Sequence, residues 1–232
     1  MLKNKTALSL SPLALLTLAA CGGSNSSSGV SVSGTAQNGP LQDAWAFLDL
    51  HHGAAGTSAE NGDGIFNSAA DVAAGITEVR IETGADGPFA LTDLGASDYT
   101  LAIETTDATM DTVTGLAYGA GVVLKAPEGA SMVTPATTMV NAVMIADGVT
   151  AAEAMADVAV ALGFDATLDI NNFDAYKAPT GSALEIAAAK TLQFNMQVSN
   201  NQVMSVVKSF AKAGESAGVS AANAYDVALK AV

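Results

Sequence analysis

The sequence predicts an α+β protein in which an antiparallel β-sandwich precedes an all-α region. Three observations carry that expectation. Apolar residues recur at every second position between Val30 and about Ala126, the period of a strand with one buried face. Glycine-containing turns part these runs at short intervals, as in sandwiches. From about Val133 the spacing becomes helical, alanine dominates, and cap residues punctuate the pattern. The sandwich is therefore assigned to residues 30–126 and the helical region to 127–232.

Within the first region, VSVSGTA sets Val30 and Val32 between serines. In AWAFLDL, Trp45 and Phe47 share a face opposite Leu48 and Leu50. TEVRIET is expected to point Val79 and Ile81 inward and Glu78, Arg80 and Glu82 outward, and YTLAIET does the same with Tyr99, Leu101 and Ile103 inside. Gly84-Ala85-Asp86-Gly87 turns the chain before Phe89 and Leu91.

In the second region, Thr134-Pro135 supplies a cap residue and a proline at the first helical position. Thr150-Ala-Ala-Glu153 and Ser182-Ala-Leu-Glu185 are capping boxes; the first opens a helix stopped at Gly163. The second opens a long helix through Lys212, with a break expected near Ser199-Asn200-Asn201. Ser220 caps a last helix that runs to Val232. Methionines 139, 144, 155, 196 and 204 lie on these helices and read as core filler.

Ahead of both regions, Lys3 and Lys5 precede an apolar run from Ala7 to Ala20. That is the length of a secretory h-region and is short for a membrane span. The run ends in Leu18-Ala19-Ala20-Cys21, which resembles the bacterial lipobox. The resemblance implies a signal peptide over 1–20, a lipidated Cys21 and a membrane anchor built from acyl chains. An ordinary cleaved signal with a stray cysteine is the alternative. Gly22 after the cysteine, in place of Asp, implies transfer to the cell outer membrane. Residues 21–29, CGGSNSSSG, then form a flexible tether. No later segment is apolar enough to cross a membrane. The last helix ends on an apolar valine without a C-cap, which suits either a piece of a longer chain or an end packed on a neighbour.

Loss of residues 1–20 would take two of the nine basic residues and leave 7 against 23 acidic ones, a net charge near −16. Nucleic acid and anionic lipid surfaces are poor partners for such a chain. Cys21 is the only cysteine, so a lipidated chain keeps no thiol for a disulfide, metal or nucleophile.

Three stretches together resemble a known family. SGTAQNGPLQDAWAFLDL is similar to the opening strands of carboxypeptidase-regulatory-like and Cna B-type Ig-like modules, with NGDGIFNSAAD and TGADGPFALTDL standing where those modules carry an Asn/Asp-Gly loop and a hairpin. LKAPEGASMVTPATTMVNAVM resembles a "VTPxTT" segment, and AAEAMADVAVALGFDATLDINNFDAY resembles the helical segment that follows it in large adhesin-like secreted proteins. The resemblance makes the sandwich Ig-like and covers residues 30–176. It implies no activity.

Glu60–Asp71, ENGDGIFNSAAD, has the look of a calcium loop. A strict EF-hand needs oxygens at positions 1, 3, 5 and 12 with Gly at 6. Setting Asn61, Asp63 and Gly64 at 3, 5 and 6 leaves Ala59 and Ala70 at the ends, so a self-contained EF-hand fails. In the related modules the strand aspartate leads directly into the loop; here His51–Glu60 is inserted between them. The comparison implies that the insertion loops out and Asp49 returns to the site. The expected ligands are Asp49, Asn61, Asp63, the Ile65 carbonyl and Asp71, completed by Asn67 or Glu60. Such an oxygen set suits calcium better than zinc or magnesium. The same residues also make an Asx/Gly turn that needs no metal.

His51 and His52 are adjacent and point apart, so they read as solvated loop residues. Asp165, Asp169 and Asp174 read as a solvated linker, with a second cation site as the alternative. No G-x-S-x-G, H-E-x-x-H or P-loop occurs. The expectation is a non-catalytic, lipid-anchored envelope protein, an adhesion or structural module with a protein, polysaccharide or second-copy partner. The alternative is a periplasm-facing lipoprotein that binds a soluble ligand or assists an envelope complex.

Overall fold

The computed structural model describes residues 30–52, 62–94 and 98–219, with 224 and 228. Mixed α and β structure is present, with a short helix, α1 (Ala69–Ala74), set among the strands. β1 (Val30–Ala36) pairs antiparallel with β5 (Pro88–Leu94) and parallel with β10 (Met132–Val133). A second sheet runs in the order β4 (Arg80–Glu82), β3 (Trp45–Leu50), β6 (Tyr99–Glu104), β9 (Val123–Ala126), all antiparallel. Short β2 (Leu41–Gln42), β7 (Met110–Asp111) and β8 (Leu116–Ala117) make a third. Val32 and Ala36 of β1, Phe89 and Leu91 of β5, Ala46 and Leu48 of β3, Leu101 and Ile103 of β6 and Leu124 of β9 meet in one apolar core. Because β10 pairs with β1, the sheet architecture runs past the boundary expected at 126.

The hairpin between β4 and β5 turns through Asp86 and Gly87, both at positive φ. A Cβ on Gly87 would meet the Ala36 carbonyl oxygen at 2.3 Å, so that position is closed to other residues.

The helices follow the expected cap chemistry. α2 (Pro135–Asp147) starts with Thr134 accepting from the Thr137 N–H and Thr137 Oγ1 accepting from the Thr134 N–H. α3 (Ala151–Ala161) and α4 (Ala183–Ser216) open with the Thr150/Glu153 and Ser182/Glu185 boxes. Contrary to expectation, α4 is unbroken across 199–201. Asn200 is buried and its Oδ1 accepts from the Ala136 N–H at 3.0 Å. It satisfies an otherwise orphaned donor at the start of α2, while its own helix continues to Ser216. Ser220 lies outside the described residues; Ala224 and Ala228 are helical and buried.

α4 joins two cores. Met196 packs with Val140, Val158 and Ile170, while Val203, Met204, Val207 and Ala211 pack with the strand core. Met139, Met144 and Met155 pack against the helical core, as core filler should. The Gln37–Pro40 turn adds a polar joint: Gln37 Nε2 donates to Asp174 Oδ1 at 2.8 Å and the Gly39 N–H donates to Tyr176 Oη at 3.1 Å. Among the described residues no helix is long and apolar enough to cross a membrane.

Candidate cation site

Period-two geometry puts Trp45, Phe47 and Asp49 on the face of β3 that points away from the strand core. That face is covered by the loop 62–68. Phe66 meets Phe47 edge-on with centroids 5.6 Å apart. The Arg80 guanidinium lies between the Trp45 ring at 4.3 Å and the Phe66 ring at 4.5 Å. Beneath the start of the loop, Asp49 is only 1% exposed, and its Oδ2 accepts from the Gly64 N–H at 2.5 Å. The loop can lie this close because Gly62 and Gly64 both sit at positive φ. A Cβ on Gly62 would meet Asp49 Oδ2 at 2.5 Å, and one on Gly64 would meet Lys125 Cε at 2.6 Å.

The other carboxylates serve the same loop. Asp63 Oδ1 accepts from the Ile65 N–H at 2.8 Å, an Asx turn. Asp71 caps α1 (Ala69–Ala74) by accepting from the Ser68 N–H at 2.5 Å through Oδ2, while Oδ1 meets His52 Nε2. Glu78 accepts from the Leu50 N–H at 3.0 Å and the Asn67 N–H at 2.8 Å.

Two expectations are corrected here. Glu78 points inward and is 4% exposed, whereas Val79 and Ile81 are 53% and 40% exposed at the sheet edge. Backbone donors from β3 and the loop hold the carboxylate, and among the described residues β4 is the edge strand of its sheet. Nor are the histidines solvated. His51 bridges Asp98 (Nδ1 to Oδ1, 2.7 Å) and Thr100 (Nε2 to Oγ1, 2.9 Å), while His52 turns to Asp71. They diverge, as adjacent strand residues must, and each pins a different element.

Electrostatics single out Asp49. Burial pushes its carboxyl up to about 7, helped by Glu78 and Asp63 and opposed by Lys125 and the Gly64 N–H. Burial likewise raises Glu78, with Asp71 and Asp63 adding to the rise against the Asn67 and Leu50 donors. The Lys125 ammonium reaches the Gly62 carbonyl oxygen at 3.4 Å and is the cation acting on Asp49.

Of the expected ligands, Asp49 and Asp63 converge on the 62–65 segment, with Ile65 exposed beside them. Asp71 is directed to the start of α1 and to His52. Asn61 and Glu60 fall outside the described residues, as does Cys21. Among the described residues no group of three or more His, Cys, Asp or Glu side chains is arranged to hold a metal ion. What the residues do fit is an acidic, glycine-lined loop in which Asp49 and Asp63 are the side-chain oxygens nearest the turn. Glu78 escaped the sequence reading because its alternation marked it as surface. The signal that could have found it is an acidic residue directly preceding a strand whose neighbour carries another.

Asp165, Asp169 and Asp174 do not converge; their carboxylates bind Thr167, Asn172 and the Gln37–Tyr176 joint respectively. Comparison of the chain with protein-family models, curated proteins and solved structures finds no match.

Proposed function

We propose that the chain is a non-catalytic, lipid-anchored protein of the bacterial outer membrane, an adhesion or structural interaction module whose 62–78 loop is stabilised by calcium. In this proposal an Ig-like sandwich carries the loop and an all-α region completes the module. The observation that carries it is the Asp49 carboxylate, buried beneath a two-glycine turn, with Asp63 and Glu78 raising its charge burden. A divalent cation relieves such crowding where one lysine does not. Calcium would be held by Asp49, Asp63, the Ile65 carbonyl and Asn61, with Asp71 joining by exchanging His52 for the ion. The lipobox at Cys21 and the acidic composition support the envelope location. The tests are calorimetric and cellular. Calcium is expected to raise the melting temperature and the double change Asp49→Ala with Asp63→Ala to abolish the rise; no shift in the wild type removes the ion from the proposal. Protease shaving of intact cells should cleave the protein, and protection would move it to the periplasmic side.

A second reading, a periplasm-facing ligand binder, is favoured by one feature. A cleft of about 760 Å³ lies between the β1–β5 pair and the 172–180 segment, lined by Phe89, Phe173, Asp174, Lys177 and Gln193 among others. That volume and mixed lining suit a small organic ligand.

A further inference from the structure

The two glycines of the 62–64 turn are fitted to two side chains of opposite charge. A Cβ on Gly62 would meet Asp49 Oδ2 at 2.5 Å, and one on Gly64 would meet Lys125 Cε at 2.6 Å and Nζ at 2.8 Å. The carboxylate and the ammonium therefore approach one turn together. Sheet register explains how a lysine from the far edge arrives there. Arg80, Phe47, Ala102 and Lys125 stand in one row across β4, β3, β6 and β9, so their side chains leave the same face of the sheet. Ala102, between Phe47 and Lys125, is small and leaves room for the lysine stem.

The two cations of this row are held differently. Arg80 lies between the Trp45 and Phe66 rings. Lys125 is half-buried, yet its ammonium makes one long hydrogen bond, to the Gly62 carbonyl oxygen at 3.4 Å. Among the described residues it forms no ion pair, although an ammonium has three donors to satisfy. The Lys125 backbone, by contrast, is fastened to the start of α2. Its N–H donates to Thr138 Oγ1 at 2.8 Å, and its carbonyl accepts from the Thr137 and Thr138 hydroxyls at 3.0 and 3.1 Å. Movement is left to the side chain, whose stem is flexible.

We infer that the Lys125 ammonium is the resident cation of this loop and a built-in competitor for calcium, which binds only by displacing it. The inference rests on the calcium reading of the loop. Calcium draws its oxygens in to about 2.3–2.6 Å, closer than the ammonium stands to Gly62, and like charges crowded at one turn repel. The ion and the ammonium therefore exclude one another. Each lowers the apparent affinity of the other, because a ligand binds only the fraction of molecules in the competent state. The lysine thus sets a threshold, placing calcium affinity in the range of extracellular modules, about 10⁻⁴–10⁻³ M.

Calorimetric calcium titration of the full-length wild type, Lys125→Met and Lys125→Arg tests this, with thermal melting in chelator alongside. Lys125→Met keeps an apolar stem and removes the charge. It should bind calcium at least about tenfold more tightly than wild type and melt lower in chelator, with calcium restoring the loss. Lys125→Arg retains a cation and should stay near wild type in both respects. A lost charge also raises affinity through space, so displacement is read directly on the wild type, independently of how the variants fold. Amine-reactive labelling with peptide mapping should find Lys125 slow to react in chelator and several-fold faster in calcium, with the exposed Lys177 and Lys190 unchanged. A wild type that binds calcium while its Lys125 reactivity stays constant, or while Lys125→Met binds no more tightly, overturns the competition and leaves the calcium reading standing. Binding by Lys125→Met alone supports the competition and removes calcium from the wild-type loop. Binding by neither overturns both.

Discussion

Replacing Asp49 by Asn removes one charge from beneath the loop and leaves an acceptor for the Gly64 N–H. The Asp49 carboxyl moves from its ordinary 3.8 to about 7 on folding. At 1.36 kcal/mol per unit, the cost of carrying the ionised group is on the order of 4 kcal/mol at most. Structural relaxation and water entry lower that ceiling, and roughly 1–2 kcal/mol is the expected gain for Asn. The sign follows from the direction of the shift. A raised folded-state value stabilises the native chain below about pH 4, where the carboxyl is protonated in both states, and that advantage is lost as pH rises through about 7. The Asn variant escapes the loss. Urea unfolding in chelator can be followed by the fluorescence of Trp45, the only tryptophan, which lies against Arg80 at the loop. Wild type and variant should be nearly equal at pH 4 and diverge to the variant's advantage by pH 7.5. A difference that stays constant with pH, or a variant less stable than wild type at pH 8, refutes the assignment of a carboxylate raised by burial.

Two other substitutions probe separate parts of the fold. Gly62→Ala places a Cβ at 2.5 Å from Asp49 Oδ2 on a backbone at positive φ, so a loss of about 1–3 kcal/mol is expected, with a changed Trp45 emission as the loop lifts. Asn200→Ala strips the acceptor from the buried Ala136 N–H and should cost about 1–3 kcal/mol in denaturant unfolding; an unchanged midpoint would mean that water replaces the amide.

What could be read in advance divides along the range of the interactions. Helix starts at Thr134, Thr150 and Ser182 were legible because a cap is complete within four residues. The alternation of Tyr99, Leu101 and Ile103 was legible because β6 is central and its inward face has one use. Glu78, His51, His52 and Asn200 were misjudged for a common reason. Each is polar and sits in a locally ordinary context, and each is held, buried or half-buried, by a partner distant in sequence: Leu50, Asp98, Asp71 and Ala136. Asp49 lies against the Gly62–Gly64 turn and Asp71 is diverted to His52, and neither placement leaves a local trace because each joins residues more than ten apart. The parallel β1–β10 pairing left no local trace, since two residues carry no period.

The position of β1 has a mechanical consequence. It is the first of the described strands, and it lies between β5, paired along most of its length, and β10, paired to Thr35 and Ala36. Tension directed along β1 loads its long β5 ladder in shear, so those hydrogen bonds share the load. A strand at the edge of its sheet, pulled sideways, would instead unzip one bond at a time. The order of strands thus resists a pull along β1 better than one across it.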